Sequence, residues 1–167
     1  ALPAHEQKAK AFPQRPVKLI VPFAPGGSTD IVARLVAEAM HAPLGQAVVV
    51  ENKAGAGGML GAEAVARAAP DGYTVGLGSI STLAVNPVVL PQVRVDPLKD
   101  LVPVLPLASI ASVFSVRPET GVMDFASFVR TAQAQGDQWA AGSSGVGSVG
   151  HLILAAFNRD LGVQLRH

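Results

Sequence analysis

The sequence of 167 residues contains no cysteine and has few charged or aromatic side chains. The absence of cysteine excludes disulfide scaffolds, zinc fingers, iron–sulfur clusters and thiol nucleophiles. With 13 Lys+Arg against 12 Asp+Glu the formal charge is +1, so no basic surface is expected for nucleic acid or for an anionic membrane. Charged residues make up 15% of the chain, against roughly 25% in an average soluble domain.

Apolar runs long enough to span a membrane are also missing, although 49% of the residues are hydrophobic. The longest uncharged stretch, 72–93, is interrupted by Pro87 and Pro91. The next, 101–116, is shorter than the ~20 residues that a spanning helix needs. The apolar content instead indicates buried parallel strands, which read as continuous runs of Val, Ile and Leu. It also excludes intrinsic disorder.

The first half of the chain alternates short β-branched runs with helical patterns, separated by turns rich in Gly and Pro. The predicted elements are a strand at 17–23, a helix that begins at an N-cap of Ser28 or Thr29, a strand at 47–51, a helix from the glycines of 55–58 to Ala69, and a strand at 73–78. This order indicates a parallel sheet with crossover helices.

The second half follows a different order. Two apolar runs without a helix between them precede two helices and two short strands: runs at 101–107 and 111–117, a helix from an N-cap at Asp124 to Gly136, a strand at 139–141, a helix at 152–161 and a strand at 163–165. We predict an N-terminal extension (1–14), a first lobe (15–105) and a second lobe (106–167) that is incomplete. One flavodoxin-like domain is the alternative.

Two similar turns carry the predicted chemistry. Residues 24–29 (APGGST) and 142–148 (GSSGVGS) each follow a strand and precede a helix. Glycines allow close approach of the backbone, and the helix N-terminus offers unpaired N–H groups with partial positive charge. Such turns bind phosphate or carboxylate without Lys or Arg. The pair predicts a ligand that is anionic at both ends; the alternative is two well-capped turns.

Other polar residues give weaker signals. Ser79, Ser81 and Thr82 follow the third strand, where they either bind a ligand or cap a loop. Asp30 has a sufficient structural role in the first turn of a helix, and His151 is more typical of a helix start than of a general base. The four histidines show no metal-ligand spacing, so no metal site is expected.

The run at 145–150 satisfies G-x-G-x-x-G, the pattern of dinucleotide-binding turns. The acidic ribose partner expected about 20 residues later is missing, because the chain there reads Gln164, Leu165, Arg166. No P-loop motif is present, and a G-x-S-x-G elbow is missed at Val146. A dinucleotide-binding oxidoreductase domain remains the alternative function.

Four ordered motifs resemble one family: RPVKLIVPFAPGGSTDIVARLVAEAM, VVVENKAGAGG, AAPDGYTVGLGSISTLAVNP and GSSGVGSVGH. They are similar to motifs of Bug-type, TctC-like periplasmic solute-binding receptors of tripartite tricarboxylate transporters, and the resemblance covers about residues 12–167. The resemblance implies an α/β, type II periplasmic-binding-protein fold, with two lobes of parallel-rich sheet and a ligand cleft. Family chains are longer, so a continuation past His167 is expected.

The resemblance also implies the function. Such a receptor binds a small carboxylate, such as a di- or tricarboxylate or an acidic amino acid, and delivers it to a membrane permease. It implies a periplasmic location with the signal peptide removed, and no catalysis, cofactor or nucleic acid. The ligand-binding residues it implies lie in the two turns and the third-strand loop: Phe23, Gly26, Gly27, Ser28, Thr29, Asp30, Ser79, Thr82, Ser143, Ser144, Gly145 and Val146.

Overall fold

The computed structural model describes residues 12–167, and its centre is a three-stranded parallel sheet in the order β2-β1-β3. The strands are β1 (Val17–Val21), β2 (Val48–Asn52) and β3 (Thr74–Gly76). The predicted parallel sheet is confirmed; β1 and β3 are shorter than predicted, and β2 has the predicted length, shifted by one residue. β1 ends before Pro22, which has no N–H to continue the ladder. The predicted extension 1–14 lies mostly outside the described residues.

The helices are α1 (Ser28–Leu44), α2 (Met59–Ala66), α3 (Asn86–Val89), α4 (Pro97–Asp100), α5 (Phe125–Gln135) and α6 (Val149–Asp160). Short 3₁₀ turns cover Ala56–Gly58, Pro118–Thr120 and Gly136–Gln138, and one π turn covers Ser81–Val85. Among residues 12–167, no helix is both long and apolar enough to cross a bilayer.

Helices cover the sheet on both faces. Leu19 and Val21 of β1 pack with Ala33 of α1. Since side chains alternate along a strand, Ile20 points to the other face, where Met59 and Ala62 of α2 form a second core. This two-sided burial explains why the strands read as continuous apolar runs in the sequence.

Two helix ends differ from the prediction. The N-cap of α1 is Gly27, not Ser28 or Thr29, and no side chain caps the helix. The nearest acid, Asp30, accepts a hydrogen bond from Gly26 N instead. α2 ends at Ala66 rather than Ala69, and Ala68 N donates to Val65 O in a tighter turn. Pro70 disfavours helical dihedrals at Ala69, so the helix closes early.

The apolar runs 101–107 and 111–117 form no regular structure in the described chain. Val102 and Val113 are 87% and 84% exposed. The predicted strands 139–141 and 163–165 are shorter than expected, and their pairing is reduced to one parallel bridge between Ala140 and Arg166, one residue past the second predicted strand. An apolar segment becomes a strand only where a neighbouring strand forms backbone hydrogen bonds with it. Parallel strands in particular occur in sheets whose faces are covered by other elements.

A separate core lies between α5 and α6. Phe128 and Ala132 of α5 pack with Leu154 of α6 and with Val163 and Leu165. The predicted start of α5 is confirmed: Asp124 is its N-cap and forms a capping box with Ser127. α5 ends at Gln135, directly before Gly136, as the sequence indicates. The lobe boundary at residue 105 stays a prediction.

Candidate functional site

The first turn exposes the N-terminus of a 17-residue helix. It follows the carboxyl end of β1, and residues 24–28 are exposed. Gly26 has a φ of 84°, which only glycine adopts at low cost. Within residues 12–167, the N–H groups of Ser28, Thr29 and Asp30 have no hydrogen-bond partner, since Gly27 brings no capping side chain. Three N–H donors at the positive end of the helix dipole are therefore left without a partner within the described chain.

Asp30 is 3% exposed, and its carboxylate is fully occupied by the protein. Oδ2 accepts Gly26 N and Arg34 Nε, each at 2.9 Å. Oδ1 accepts Arg34 Nη2 at 3.0 Å and Asn52 Nδ2 at 2.9 Å. Asn52 Nδ2 also donates to Phe23 O at 3.0 Å. These hydrogen bonds link the first turn to α1 and β2, so Asp30 stabilises the conformation of the turn. Its predicted contact with a ligand stays a prediction.

The Asp30 network predicts a specific response to acid. The hydrogen bonds from Arg34, then Gly26 N and Asn52, hold the pKa of Asp30 well below its ordinary 3.8. A lowered folded-state pKa gives stability that is present above the unfolded pKa and is lost as the pH falls through the folded one. We expect the free energy of unfolding of wild type to fall with pH below about 4, and Asp30→Asn to be less stable at pH 7 with a shallower decline.

Urea unfolding between pH 2 and 7 measures this decline. Asp137→Asn is the matched control, because Asp137 is exposed and forms no ion pair within the described chain. Glu51, whose pKa is lowered to about 2 by Lys18 and then Lys53, adds a decline of its own in both proteins. If the Asp30→Asn and wild-type curves run parallel below pH 4, the acid sensitivity does not come from Asp30.

The third-strand loop is closed by its own hydroxyl groups. Ser79 N donates to Thr82 Oγ1 at 2.9 Å, and Thr82 N donates to Ser79 Oγ at 3.3 Å. Thr82 is 1% exposed. Of the two roles that the sequence leaves open for these residues, loop capping is present in the structure; ligand binding by Ser79 and Thr82 stays a prediction.

The second turn forms more hydrogen bonds among its own residues than the first turn does. Ser143 Oγ accepts Gly145 N at 3.1 Å and lies 2.7 Å from His167 Nε2. Ser148 is the N-cap of α6 and accepts His151 N. Within residues 12–167 the N–H groups of Ser144 and Val146 have no partner, and both residues are exposed. The free donors of this turn therefore lie in the loop.

The glycine loop 55–58 packs against three of the segments that contain predicted ligand-binding residues. A Cβ built on Gly58 would lie 2.6 Å from Thr82 Cγ2 and 3.4 Å from Phe23 Cε1. A Cβ on Gly57 would lie 3.0 Å from Val146 O. Three predicted residues from three loops thus meet around two glycines. Sequence reasoning did not assign this loop to the site, although its GAGG sequence is the available signal.

Two surface clefts, of about 410 and 440 Å³, lie elsewhere. One is lined by Arg117, Thr131 and Trp139, among others, and the second by Arg34, His41 and Val48, among others. None of the twelve predicted ligand-binding residues lines either cleft. The described residues also contain no group of three or more His, Asp or Glu side chains that could hold a metal ion.

The model of the TctC family, described as the tripartite tricarboxylate transporter family receptor, matches residues 32–167. The chain belongs to this family. Protein BugT of Bordetella pertussis is 38% identical over 158 residues, which are 94% of this TctC-family chain and 48% of BugT. A UPF0065 protein of Cupriavidus necator is 35% identical over 167 residues, half of its length. The chain thus spans about half the length of the curated relatives it matches.

Solved structures agree with the family model. An adipate complex from Rhodopseudomonas palustris has a TM-score of 0.89 at 34% identity. MatC of the same organism, with bound malate, has a TM-score of 0.81 at 36% identity. The match covers 93% of this TctC-family chain in both cases, and 52% and 53% of those chains. The periplasmic binding protein BugD scores 0.78. The predicted family and periplasmic-binding-protein fold are confirmed, for the part of the fold that the chain spans.

The dinucleotide alternative finds no support in the TctC-family chain. Gly147 and Ser148, in the middle of the glycine run, are buried. At the start of α6, Val149 N donates to Ser81 Oγ and His151 N to Ser148 Oγ. A Rossmann turn leaves these first-turn N–H groups open for the pyrophosphate. Here two of these N–H groups, those of Val149 and His151, already donate to serine side chains.

Proposed function

We propose that the chain carries part of the binding site of a receptor for small carboxylates. The observation that carries the proposal is the open N-terminus of α1, where the N–H groups of Ser28, Thr29 and Asp30 lack partners within residues 12–167. An uncapped helix start behind a glycine turn is a site for an anion. Relatives of the same fold carry adipate and malate, which are dicarboxylates.

The proposed roles differ between the two turns. Gly26 and Gly27 leave space for one carboxylate, which binds the first N–H groups of α1 through Ser28 and Thr29. The loop N–H groups of Ser144 and Val146 bind the other end, with Gly145 allowing close approach. Phe23 forms part of the wall. Asp30, Ser79, Thr82 and Ser143, whose side-chain oxygens already have protein partners, hold these loops in shape.

The wider proposal follows from the family. A receptor of this kind binds and releases its ligand unchanged, so no reaction is assigned to the site. We place the protein in the periplasm, as its relatives named periplasmic binding proteins are. The partners are a small carboxylate and the permease subunits of a tripartite transporter.

A thermal-shift panel on the complete natural protein tests the proposal. The acids are adipate, malate, succinate, citrate and glutamate, with NAD and NADP as the rival ligands. A carboxylate present at about 100 times its dissociation constant adds roughly 2.7 kcal/mol to the free energy of unfolding. We expect one or more acids to raise Tm and both nucleotides to leave it unchanged.

Ser144→Glu is the variant that links this response to the second turn. Its added carboxylate repels the ligand at an exposed position that packs against no core. Glu119→Gln, which changes an exposed residue outside the turns, is the control. Unchanged carboxylate affinity in Ser144→Glu would remove the second turn from the site, and a Tm shift with NAD or NADP alone would overturn the receptor proposal.

A further inference from the structure

Asn86 is fully buried at the start of α3, yet only half of its amide is hydrogen-bonded. Nδ2 donates to Gly57 O at 2.8 Å. Oδ1 has no partner within residues 12–167, although it is out of contact with solvent. A buried amide oxygen without a donor is costly, so the presence of Asn86 at this position calls for an explanation.

The unpartnered oxygen lies against the second turn. A Cβ built on Gly147 would overlap Asn86 Oδ1. Gly147 also has a φ of 81°, so a side chain there would be strained as well as crowded. On the other side, a Cβ on Gly57 would lie 2.7 Å from Asn86 Nδ2. Each end of one amide therefore touches a glycine backbone, one in each of two loops.

A second buried hydroxyl supports the same connection. Ser81, 7% exposed, accepts a hydrogen bond from Val149 N at 3.2 Å. Ser81 begins the π turn and Asn86 directly follows it, so one short segment contacts the second turn at both Gly147 and Val149. These two contacts lie at residues 147 and 149, directly after Ser144 and Val146, whose N–H groups have no partner within residues 12–167.

From these contacts we propose that Asn86 is a positioning residue, which sets the distance between the first-lobe loops and the second turn. It touches no ligand. It fixes Gly147 against Gly57, and with it the backbone of residues 144–146. The consequence for carboxylate binding rests on the proposed function, whereas the effect on the turn itself does not. The same segment also explains why the turn needs glycine at position 147.

Amide hydrogen exchange on the complete natural protein, without ligand, tests the positioning directly. The N–H groups of Gly147, Ser148 and Val149 are hydrogen-bonded and report on the second turn. We expect Asn86→Ala to speed their exchange about tenfold, within the usual range of coupling between linked sites. Ser81→Ala is the milder second variant, and should accelerate the same amides if Asn86→Ala does not fold.

Asn158→Ala is the matched control. Asn158, like Asn86, is an asparagine that bonds to backbone. Both ends of its amide are hydrogen-bonded: Nδ2 donates to Leu165 O and Oδ1 accepts from Leu165 N. It lies far along α6, so its loss should accelerate exchange near Leu165 and leave 147–149 unchanged. The proposal is overturned if folded Asn86→Ala exchanges at 147–149 like wild type, or if Asn158→Ala accelerates those amides equally; if Asn86→Ala does not fold, wild-type exchange at Gly147 and Ser148 in Ser81→Ala overturns it.

Titration calorimetry with adipate and malate provides the linked readout. Where wild type binds either acid, Asn86→Ala should raise Kd about tenfold and Asn158→Ala should not. A Kd unchanged by Asn86→Ala would contradict the positioning role. If wild type binds no acid of the panel, the receptor proposal fails, while the exchange experiment still decides the role of Asn86.

Discussion

Replacing Gly27 by Asp is expected to lower carboxylate affinity by about 100-fold or more, without loss of stability. Gly27 has a φ of −75° and a ψ of 166°, which any residue adopts, and a Cβ there meets only Ala24 O at 3.7 Å. Aspartate is among the best N-caps and accepts the N–H of the second or third helical residue. Its side chain would therefore occupy the donors that the ligand needs.

The size of the effect follows from the donors lost. Each hydrogen bond to a charged group contributes about 1.5–3 kcal/mol, so losing two costs roughly 3 kcal/mol or more, which is about 100-fold in Kd. The new cap should raise stability by a few tenths of a kcal/mol at most. A variant that loses carboxylate affinity but gains stability has its binding site blocked by the new side chain. A variant with a damaged fold would lose both affinity and stability.

Calorimetry and thermal unfolding of two further variants complete the test. Gly27→Ala adds a methyl group without a cap, so it should bind nearly as wild type does. Gly27→Asn caps the helix without charge and should fall between Ala and Asp. Carboxylate affinity in Gly27→Asp equal to that of wild type would show that the N-terminus of α1 is not the anion site.

Replacing Phe128 by Ala is expected to destabilise the α5–α6 core by about 3–5 kcal/mol. Phe128 is 2% exposed, and its ring lies 4.6 Å from Phe114 and 6.3 Å from Trp139 between centroids. Truncation removes this apolar area from the core and leaves a cavity that the helices fill only in part. A loss of that size is a large share of the 5–15 kcal/mol that stabilises a whole domain.

Trp139 is the only tryptophan of the chain and packs on this core. Urea unfolding followed by its fluorescence therefore reports on the α5–α6 core, and circular dichroism reports on all helices. Phe125→Ala is the matched control, because Phe125 is 57% exposed and neighbours the same ring. If the two variants lose equal stability, Phe128 does not anchor the core.

The elements that could be predicted from the sequence are those set by neighbouring residues. The start of α5 depends on Asp124 and Ser127, three residues apart, and the capping box is visible in the sequence. The parallel sheet follows from the repeated order of strand, turn and helix. The N-cap of α1 was mispredicted because Asp30 bonds to Gly26 N, so it is Asp30 rather than Ser28 that closes the turn.

The contacts that shape the candidate site are distant in sequence. Asn52 reaches Phe23 across 29 positions, as Asn86 reaches Gly57. An asparagine at the end of a strand, or before a proline, gives no local sign of which carbonyl it will contact. The runs at 101–107 and 111–117 were uninformative for a related reason: hydrophobicity describes what a segment can bury, and pairing partners decide whether it becomes a strand.

The uncapped start of α1 has an evolutionary consequence. The proposed anion site uses main-chain N–H groups, which every residue type except proline has, so the proposed contacts do not depend on which side chains stand at Ser28 and Thr29. If the proposal holds, these two positions can change in sequence while the N–H donors remain. Proline fits the first helical position without disturbing the helix, so a change to proline at Ser28 would delete one donor silently, with no trace in folding.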